Sequence, residues 1–212
     1  SSTAATYGEP ESIPILETDR TEPTNCYGET KLSMEKMFKW TSKAHNLRYV
    51  SLRYFNAAGC DFDGEIGELH DPETHLIPLI LDAAIGKRDS ISIFGDDYDT
   101  PDGTCIRDYI HVCDLARGHR FAMKDINNKK GLTIYNLGTG IGYSVLELVE
   151  TFKKVNNFDV LCKIVDRRPG DIDICYANSD KAYKELGFKC EYNLEDMCRD
   201  AWNFEKRGEL KL

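Results

Sequence analysis

The sequence has 212 residues and a formal net charge of −9, from 27 lysines and arginines against 36 aspartates and glutamates. This acidic balance argues against a nucleic-acid partner, because binding to a phosphate backbone needs a basic face. No apolar run approaches the roughly 18 residues of a membrane span, so we expect a soluble protein with no membrane partner. The eight cysteines have no Cys-x-x-Cys spacing, which predicts reduced thiols, a cytoplasmic location and no zinc site.

Helix-like and strand-like segments alternate along the whole chain. The helix-like segments repeat apolar residues three and four positions apart, and the strand-like segments are short and rich in β-branched and aromatic residues. In chain order the predictions are a helix at 26–45, a strand at 48–56, a helix at 75–87, a strand at 90–95, a polar turn region at 96–104, a strand at 106–112, a helix at 114–126, a strand at 132–138, a helix at 144–156, a strand at 160–165 and helices at about 179–186 and 194–206.

This alternation predicts an α/β protein with a largely parallel sheet. A parallel sheet that binds a dinucleotide normally begins with a strand, a glycine-rich turn and a helix. No such unit stands at the start of this sequence, so we expect the chain to lack that part.

Three glycines after the predicted strand at 132–138 resemble a dinucleotide-binding turn, but their spacing is G-x-G-x-G rather than G-x-G-x-x-G. The acidic residue that such a unit needs about 20 positions later is also misplaced. Ser144 and Glu147 instead predict a capping box at the start of the next helix. We leave open whether the loop at 138–142 contacts a substrate.

Tyr27 and Lys31 are the pair whose residue types and spacing point to chemistry. Four positions apart on a helix, they lie on one face. A nearby ammonium favours the phenolate and lowers the pKa of a tyrosine, and such a tyrosine can take a proton from a substrate hydroxyl and return it. The alternative is an exposed helix on which the two residues stand four apart by chance, and this pair alone does not decide.

Further motifs accompany the pair. "SSTAATYG" stands upstream, where we expect a strand that ends near Thr3 to face the Tyr27 helix across a cleft, and "RYFNAAG" stands downstream. The order Ser-Ser-Thr, Tyr-x-x-x-Lys, Tyr-Phe-Asn resembles the extended short-chain dehydrogenase/reductase superfamily. "SLRYFNAAG", "HLIPLIL", "DGTCIRDYIHV" and "RRPGD" narrow the resemblance to the UDP-glucose 4-epimerase family, over essentially the whole chain.

The resemblance implies the C-terminal part of a Rossmann-type doubly wound parallel sheet, together with a smaller α/β substrate domain. Residues 1–56 and about 105–130 would be the remainder of the NAD-binding domain, and residues 57–104 and 131–212 the UDP-sugar-binding domain. A homodimer through helices that include the Tyr27 helix is also implied. Because the glycine-rich N-terminal part is not in this chain, we expect the chain alone to be inactive.

The implied reaction is NAD-dependent 4-epimerisation of UDP-hexoses through a 4-keto sugar, in galactose metabolism. Tyr27 would be the base on the sugar 4-hydroxyl, and Thr3 would bridge the 4-oxygen and Tyr27. Lys31 would tune Tyr27 and hold the nicotinamide ribose. Tyr54 and Phe55 would line the nicotinamide pocket, so these five residues form the implied cofactor site.

The resemblance also implies a set of substrate-binding residues. Arg107 and Arg168 would bind the diphosphate, since a guanidinium makes bidentate contacts to phosphate oxygens; the alternative for Arg107 is a surface ion pair with Asp108. Asp171 would bind the uridine ribose. The full set is Asn56, Leu76, Ser92, Phe94, Arg107, Tyr109, Val145, Arg168, Asp171 and Cys175.

Two positions depart from the family pattern or vary within it. His75 stands where the family often has asparagine, which weakens the phosphate contact that we would assign there. Cys175 stands where some members have tyrosine. A small side chain beside the sugar leaves room for a 2-acetamido group, and we hypothesise that UDP-N-acetylhexosamines are also accepted.

Four alternatives compete with this interpretation. A sugar-nucleotide 4,6-dehydratase is disfavoured because Ser-Thr-Ala stands where Thr-Asp-Glu is usual, whereas a UDP-pentose 4-epimerase would use the same residues and stays open. An inactive fragment or scaffold is opposed by the retention of Thr3, Tyr27 and Lys31. A metal site in "HDPETH" is disfavoured because the five-residue spacing of His70 and His75 fits no helical ligand face.

Overall fold

The computed structural model describes residues 1–209. Within this range the helices are α1 (Cys26–His45), α2 (Leu76–Ala84), α3 (Val112–Asp125), α4 (Val145–Asn156), α5 (Asp180–Leu186) and α6 (Leu194–Glu209). Each helix that the sequence predicts is confirmed, with ends that differ by a few residues.

The strands of the described range are short: β1 (Ser2–Thr3), β2 (Tyr49–Tyr54), β3 (Asn56–Ala58), β4 (Ile91–Phe94), β5 (Ile106–Arg107), β6 (Tyr109–His111), β7 (Leu132–Leu137), β8 (Tyr143–Ser144), β9 (Cys162–Val165) and β10 (Ile174–Cys175). One sheet has the order β1-β2-β7 and is wholly parallel. β3 pairs with β6 and β4 with β9, both in parallel, while β5 lies between parallel β10 and antiparallel β8. The predicted α/β class and largely parallel pairing are confirmed.

Helix α1 is fixed at both ends and packs on this first sheet. The side chain of Asn25 caps its start by accepting a hydrogen bond from the Gly28 amide at 2.8 Å. Asn46 ends it in the left-handed conformation, with φ of 53°, which asparagine tolerates better than most residues. Phe38 stacks on Tyr49 of β2 with ring centroids 4.8 Å apart. The first turn of α1 is thereby held beside the end of β1.

Two of the predicted strands are each divided in the structure. Residues 48–56 form β2 and β3, and residues 106–112 form β5 and β6. At Asp108 the backbone amide donates to the Cys175 carbonyl at 3.1 Å, whereas its carbonyl accepts from the Asn56 amide at 3.0 Å. The prediction of continuous strands was wrong here because the chain changes pairing partner at a single residue.

Strand β7 bears on the predicted domain division, which assigned residues 131–212 to the substrate-binding part. All six residues of β7 pair with β2, from Tyr49 opposite Leu132 to Tyr54 opposite Leu137. Residues 132–137 are therefore part of the sheet that contains β1. The remainder of the division stays a prediction.

Two larger clusters of buried apolar side chains hold these elements together. One joins α2, α4 and α6 through residues such as Ile80, Leu148 and Met197. The other joins β2 and β7 to the helices packed on them and includes Leu52 and Leu137. Full burial of each such side chain stabilises the fold by about 1.5–3 kcal/mol.

Membrane and disulfide features were also predicted from the sequence. Of the helices between residues 1 and 209, none combines the length and the apolar character needed to cross a bilayer. All eight cysteines are free thiols, and Cys60, Cys105 and Cys198 are buried. The structure joins no two of them in a disulfide, and their redox state in the cell stays a prediction.

Candidate functional site

A cavity of about 550 Å³ lies where the two parallel sheets with β1 and β3 meet α2 and β4. It brings together all of the predicted site residues except Lys31 and Cys175. Those that line it are Thr3, Tyr27, Tyr54, Phe55, Asn56, Leu76, Ser92, Phe94, Arg107, Tyr109, Val145, Arg168 and Asp171.

One end of the cavity is formed by Thr3 and Tyr27. Tyr27 is in the first turn of α1 and its side chain is exposed, at 54%. The Nζ atom of Lys31 lies 5.8 Å from the centroid of the Tyr27 ring and 3.5 Å from the Ser1 carbonyl oxygen. Thr3 Oγ1 accepts a hydrogen bond from the Ala5 amide at 3.2 Å, which leaves its hydroxyl proton available to another acceptor. The expected common face of Tyr27 and Lys31 is therefore present beside Thr3.

The close approach of α1 to the turn after Thr3 depends on a glycine. A Cβ atom added at Gly28 would lie 2.4 Å from the Ala5 carbonyl oxygen, which is closer than real Cβ atoms come. Gly28 thus allows the residue next to Tyr27 to touch the backbone that follows Thr3.

A buried ionic network ties the same helix to the end of β1. Glu35 accepts hydrogen bonds from Ser2 Oγ at 2.6 Å, from Ser51 Oγ at 2.9 Å and from Arg53 Nε at 3.0 Å. Burial alone would raise the pKa of Glu35, but the hydrogen bonds from Arg53 and Ser2 outweigh it and hold the pKa below its ordinary value. Ser2 is adjacent to Thr3, so the network fixes Thr3 relative to the helix that carries Tyr27.

The other end of the cavity is basic. The Asp171 carboxylate accepts from Arg168 at 3.0 and 3.2 Å and lies 4.0 Å from Arg107 Nη2. The Arg168 guanidinium also stands 4.6 Å from the Phe94 ring centroid. One carboxylate balances only one of two guanidinium charges, so this end is suited to a further anion such as a diphosphate.

The alternative pairing of Arg107 with Asp108 is not formed. Asp108 is fully buried, and its carboxylate accepts hydrogen bonds from the amides of Thr139 at 2.8 Å, Gly140 at 3.0 Å and Ala177 at 3.1 Å. Ala177 follows β10, whereas the amides of Thr139 and Gly140 belong to the loop that resembled a dinucleotide-binding turn. Because the protein itself satisfies them, the loop does not present them to a phosphate.

The predicted capping box after this loop is confirmed. Ser144 Oγ accepts from the Glu147 amide at 2.9 Å, and Glu147 Oε2 accepts from the Ser144 amide at 2.7 Å. The cap fixes the start of α4, and Val145 at that start lines the cavity.

The apolar wall combines β4 with the first residue of α2. Ser92 and Phe94 are two positions apart on β4 and lie on one face, and Leu76 begins α2. All three line the cavity. This wall joins the basic end through the contact between Phe94 and Arg168.

Cys175 and Tyr109, two of the predicted substrate-binding residues, are largely covered by protein. Cys175 pairs with Arg107 across β10 and β5 but does not line the cavity, and burial raises the pKa of its thiol to about 11. Tyr109 lines the cavity but is only 5% exposed, and burial raises the pKa of its phenol far above the ordinary range.

Sequence reasoning missed the structural roles of Glu35 and Asp108. Glu35 binds Ser2 beside Thr3, and Asp108 binds the amides of Thr139 and Gly140. Glu35 extends the four-residue spacing of Tyr27 and Lys31 along α1, a signal that could have identified it. No sequence pattern marks Asp108, because its partners lie more than 30 positions away.

Comparisons with known proteins agree with this geometry. The family model described as GDP-mannose 4,6 dehydratase matches residues 1–201. A relative from Halalkalibacterium halodurans named UDP-glucose 4-epimerase is 53% identical over 97% of this chain. The chain spans only 62% of that relative's length.

Solved structures resemble the chain over its full length. A UDP-glucose 4-epimerase from Stenotrophomonas maltophila with bound NAD and formylated UDP-arabinopyranose has a TM-score of 0.95 and 39% identity, and the chain covers 63% of it. One from Bifidobacterium longum in complex with NAD+ and UDP has a TM-score of 0.94 and 42% identity, with 64% covered. Because the GDP-mannose 4,6 dehydratase model matches residues 1–201, the chain belongs to the family that this model describes. That family is part of the extended short-chain dehydrogenase/reductase superfamily.

Proposed function

We propose that the protein carrying this chain is a UDP-glucose 4-epimerase, an isomerase that interconverts UDP-glucose and UDP-galactose with NAD as cofactor in galactose metabolism. The observation that carries the proposal is that one cavity joins the Thr3–Tyr27 end to the basic Arg107–Arg168 end. A proton-transfer group and a diphosphate-binding group are thus connected by a space that suits a nucleotide sugar. Relatives that are similar to this chain are named UDP-glucose 4-epimerase.

The residues at the Thr3–Tyr27 end fit a nicotinamide cofactor and a sugar hydroxyl. The exposed Tyr27 ring borders the cavity. The Lys31 ammonium, on the same helix face and 5.8 Å from the centroid of that ring, would bind a ribose hydroxyl. Bound NAD would accept a hydride and return it to the sugar, so the reaction would be an isomerisation with no net oxidation.

Within that scheme the side chains hold and move one proton. Tyr27 Oη takes the proton of the sugar 4-hydroxyl and later returns it, and the Lys31 charge stabilises the phenolate between these steps. The Thr3 hydroxyl orients the 4-oxygen toward Tyr27. The 4-keto sugar stays attached to its nucleotide. Binding of the nucleotide therefore keeps the sugar in the site while the sugar ring rotates to present its opposite face.

The basic end and the apolar wall would bind the nucleotide. Arg107 and Arg168 bind the diphosphate oxygens, and Asp171 accepts a hydrogen bond from a ribose hydroxyl. Asn56 contacts the diphosphate or the sugar. The uracil packs against Leu76, Ser92 and Phe94.

The test compares the epimerase activity of the wild type and of Tyr27→Phe in the full protein that carries this chain. Removing the phenolic oxygen eliminates the proton-transfer group, so kcat for UDP-galactose should fall by about 10²–10⁴ with a much smaller change in KM. Tyr183→Phe is the matched control, because Tyr183 is 59% exposed on α5 and outside the cavity. Activity of Tyr27→Phe within tenfold of the wild type would contradict the proposal, and faster turnover of a UDP-pentose than of a UDP-hexose would favour a pentose epimerase.

We further propose that Cys175 allows 2-acetamido sugars to bind. Cys175 stands opposite Arg107 in the register of β10 and β5, and its side chain packs against a buried cluster that includes Phe55. Because Arg107 and Phe55 both line the cavity, a larger residue at position 175 would press on the cavity wall. Cys175→Tyr should lower kcat/KM for UDP-N-acetylgalactosamine by at least tenfold while changing that for UDP-galactose much less. Cys190→Ser, also half-buried but on another part of the chain, should leave the ratio unchanged. If the wild type fails to turn over the acetamido sugar, the idea is wrong.

For its cellular setting we propose the cytoplasm, supported by eight free cysteines in a chain with a large core. We also propose a homodimer through α1, which exposes large apolar side chains on the side away from the sheet.

A further inference from the structure

The segment between β3 and α2 is strongly acidic. Residues 61–75 contain six acidic residues and two histidines but no lysine or arginine. Between residues 68 and 75 the chain makes irregular turns rather than a helix. The spacing argument that disfavoured a metal site at His70 and His75 assumed a helical face, so it does not apply to the observed conformation.

In this conformation four side chains converge. The potential ligand atoms of Glu68, His70, Glu73 and His75 all lie within 4.8 Å of one another. Nδ1 of His75 is 2.7 Å from Glu68 Oε1 and 3.3 Å from Glu73 Oε1. The rings of His70 and His75 have centroids 5.8 Å apart. Ligand atoms at about 2.0–2.1 Å from one zinc ion stand roughly 3.4 Å apart, so small rotations of these side chains suffice to surround an ion.

Within the described part of the chain, no lysine or arginine forms an ion pair with Glu68 or Glu73. The basic nitrogen atom close to both carboxylates there is Nδ1 of His75. Glu73 Oε1 also accepts hydrogen bonds from the amides of Thr74 and His75, both at 2.6 Å. These bonds orient the Glu73 carboxylate, as outer-shell hydrogen bonds do for metal ligands.

We propose that Glu68, His70, Glu73 and His75 bind one divalent transition-metal cation, of which Zn²⁺ is the best match. Two imidazoles and two carboxylates are ligands that zinc accepts in tetrahedral geometry. Mg²⁺ and Ca²⁺ prefer oxygen-only sites, so the imidazoles select against them. Four protein ligands fill the coordination sphere, which makes the site structural rather than catalytic.

Because the proposed metal site borders the cavity, a bound cation would affect the cavity wall. His75 immediately precedes α2 and makes no capping hydrogen bond with its side chain. Glu68, His75 and Leu76 all line the cavity. A bound cation would fix the acidic segment to the start of α2 and so hold Leu76 in the apolar wall. Metal binding itself does not depend on which reaction the protein catalyses.

The experiment is a Zn²⁺ titration of the full protein that carries this chain, purified without a polyhistidine tag and stripped with a chelator, in competition with a chromogenic indicator. We expect one Zn²⁺ per chain. His70→Ala and His75→Ala should each weaken binding at least tenfold, since even outer-shell changes cost 10–100-fold at such sites. His75 is 61% exposed at its side chain, so its loss should leave folding intact, as circular dichroism will verify. His45→Ala, at an exposed position on α1, is the matched control.

Substitution with Co²⁺ identifies the ligand type. Nitrogen and oxygen ligands from this site should give the d–d absorption of a tetrahedral ion without thiolate charge-transfer bands. Thiolate bands that vanish in Cys26→Ser, the variant at the exposed cysteine, would overturn the proposal. So would equal Zn²⁺ affinity of the wild type and the His70→Ala/His75→Ala variant, or no binding at 1:1 stoichiometry in the micromolar range.

Discussion

Glu35 is a buried side chain that fixes the Thr3–Tyr27 end of the cavity without lining it. It is 4% exposed and receives three hydrogen-bonding side chains from β1 and β2. The Arg53 guanidinium opposite it also stacks over the Tyr7 ring at 4.7 Å. Loss of the Glu35 charge would leave Arg53 buried without a counter-ion, and would release Ser2 beside Thr3.

Glu35→Gln should therefore destabilise the fold. Breaking a buried ion pair by removing one charge costs about 3–5 kcal/mol, and we expect a loss of about 3 kcal/mol in the free energy of unfolding because the amide keeps part of the hydrogen bonding. Urea unfolding at neutral pH measures this difference. Glu150→Gln is the matched control, since Glu150 is 67% exposed in its pair with Lys153 and should change stability by less than about 0.5 kcal/mol.

The same pair gives stability a pH dependence of definite sign. Because the folded state lowers the pKa of Glu35 from 4.5, the unfolded chain binds the proton more readily. The stabilisation is complete above pH 4.5 and is lost as the pH falls through the folded-state pKa. The gap between wild type and Glu35→Gln should narrow on acidification below pH 4.5, and a gap that is small at pH 7 or constant with pH would contradict this assignment.

At the scale of elements, the helices could be predicted because their signals are local. Residues 26–45 repeat apolar positions over five turns, and Ser144 with Glu147 marks a helix start within four residues. The divided strands could not be predicted, since the break at Asp108 is made by partners at Asn56 and Cys175 that no local pattern reveals.

The candidate site also has a part that local spacing predicts and a part that it does not. Tyr27 and Lys31 share a face because a helix places them there, so their proximity followed from spacing alone. The convergence of Arg107 and Arg168 on Asp171 depends on β5 and on the turn after β9, which are far apart in the chain. The resemblance to a family supplied those positions, and residue types alone would have favoured a surface ion pair.

At the scale of the whole molecule, the outer face of α1 is an exposed apolar surface. The helix packs on the sheet through Leu32 and Phe38, whereas Met37 is 58% exposed and Trp40 is 65% exposed. These two residues are three positions apart and lie side by side on the helix. Clustered exposed apolar side chains of this size are typical of an association surface, and a second copy of α1 offers a matching one.

Trp40→Glu should weaken self-association of the protein that carries this chain. A buried tryptophan at an interface contributes about 2 kcal/mol or more. Because a symmetric dimer loses two of them, the dimer dissociation constant should rise by about three orders of magnitude, as sedimentation equilibrium will measure. Met123→Glu is the matched control, because Met123 is 72% exposed on α3 and its change should leave the constant unaltered. A wild type that stays monomeric at micromolar concentration would refute the homodimer itself. Equal dissociation constants for the two variants would place the dimer contact elsewhere and leave the apolar face of α1 to another partner.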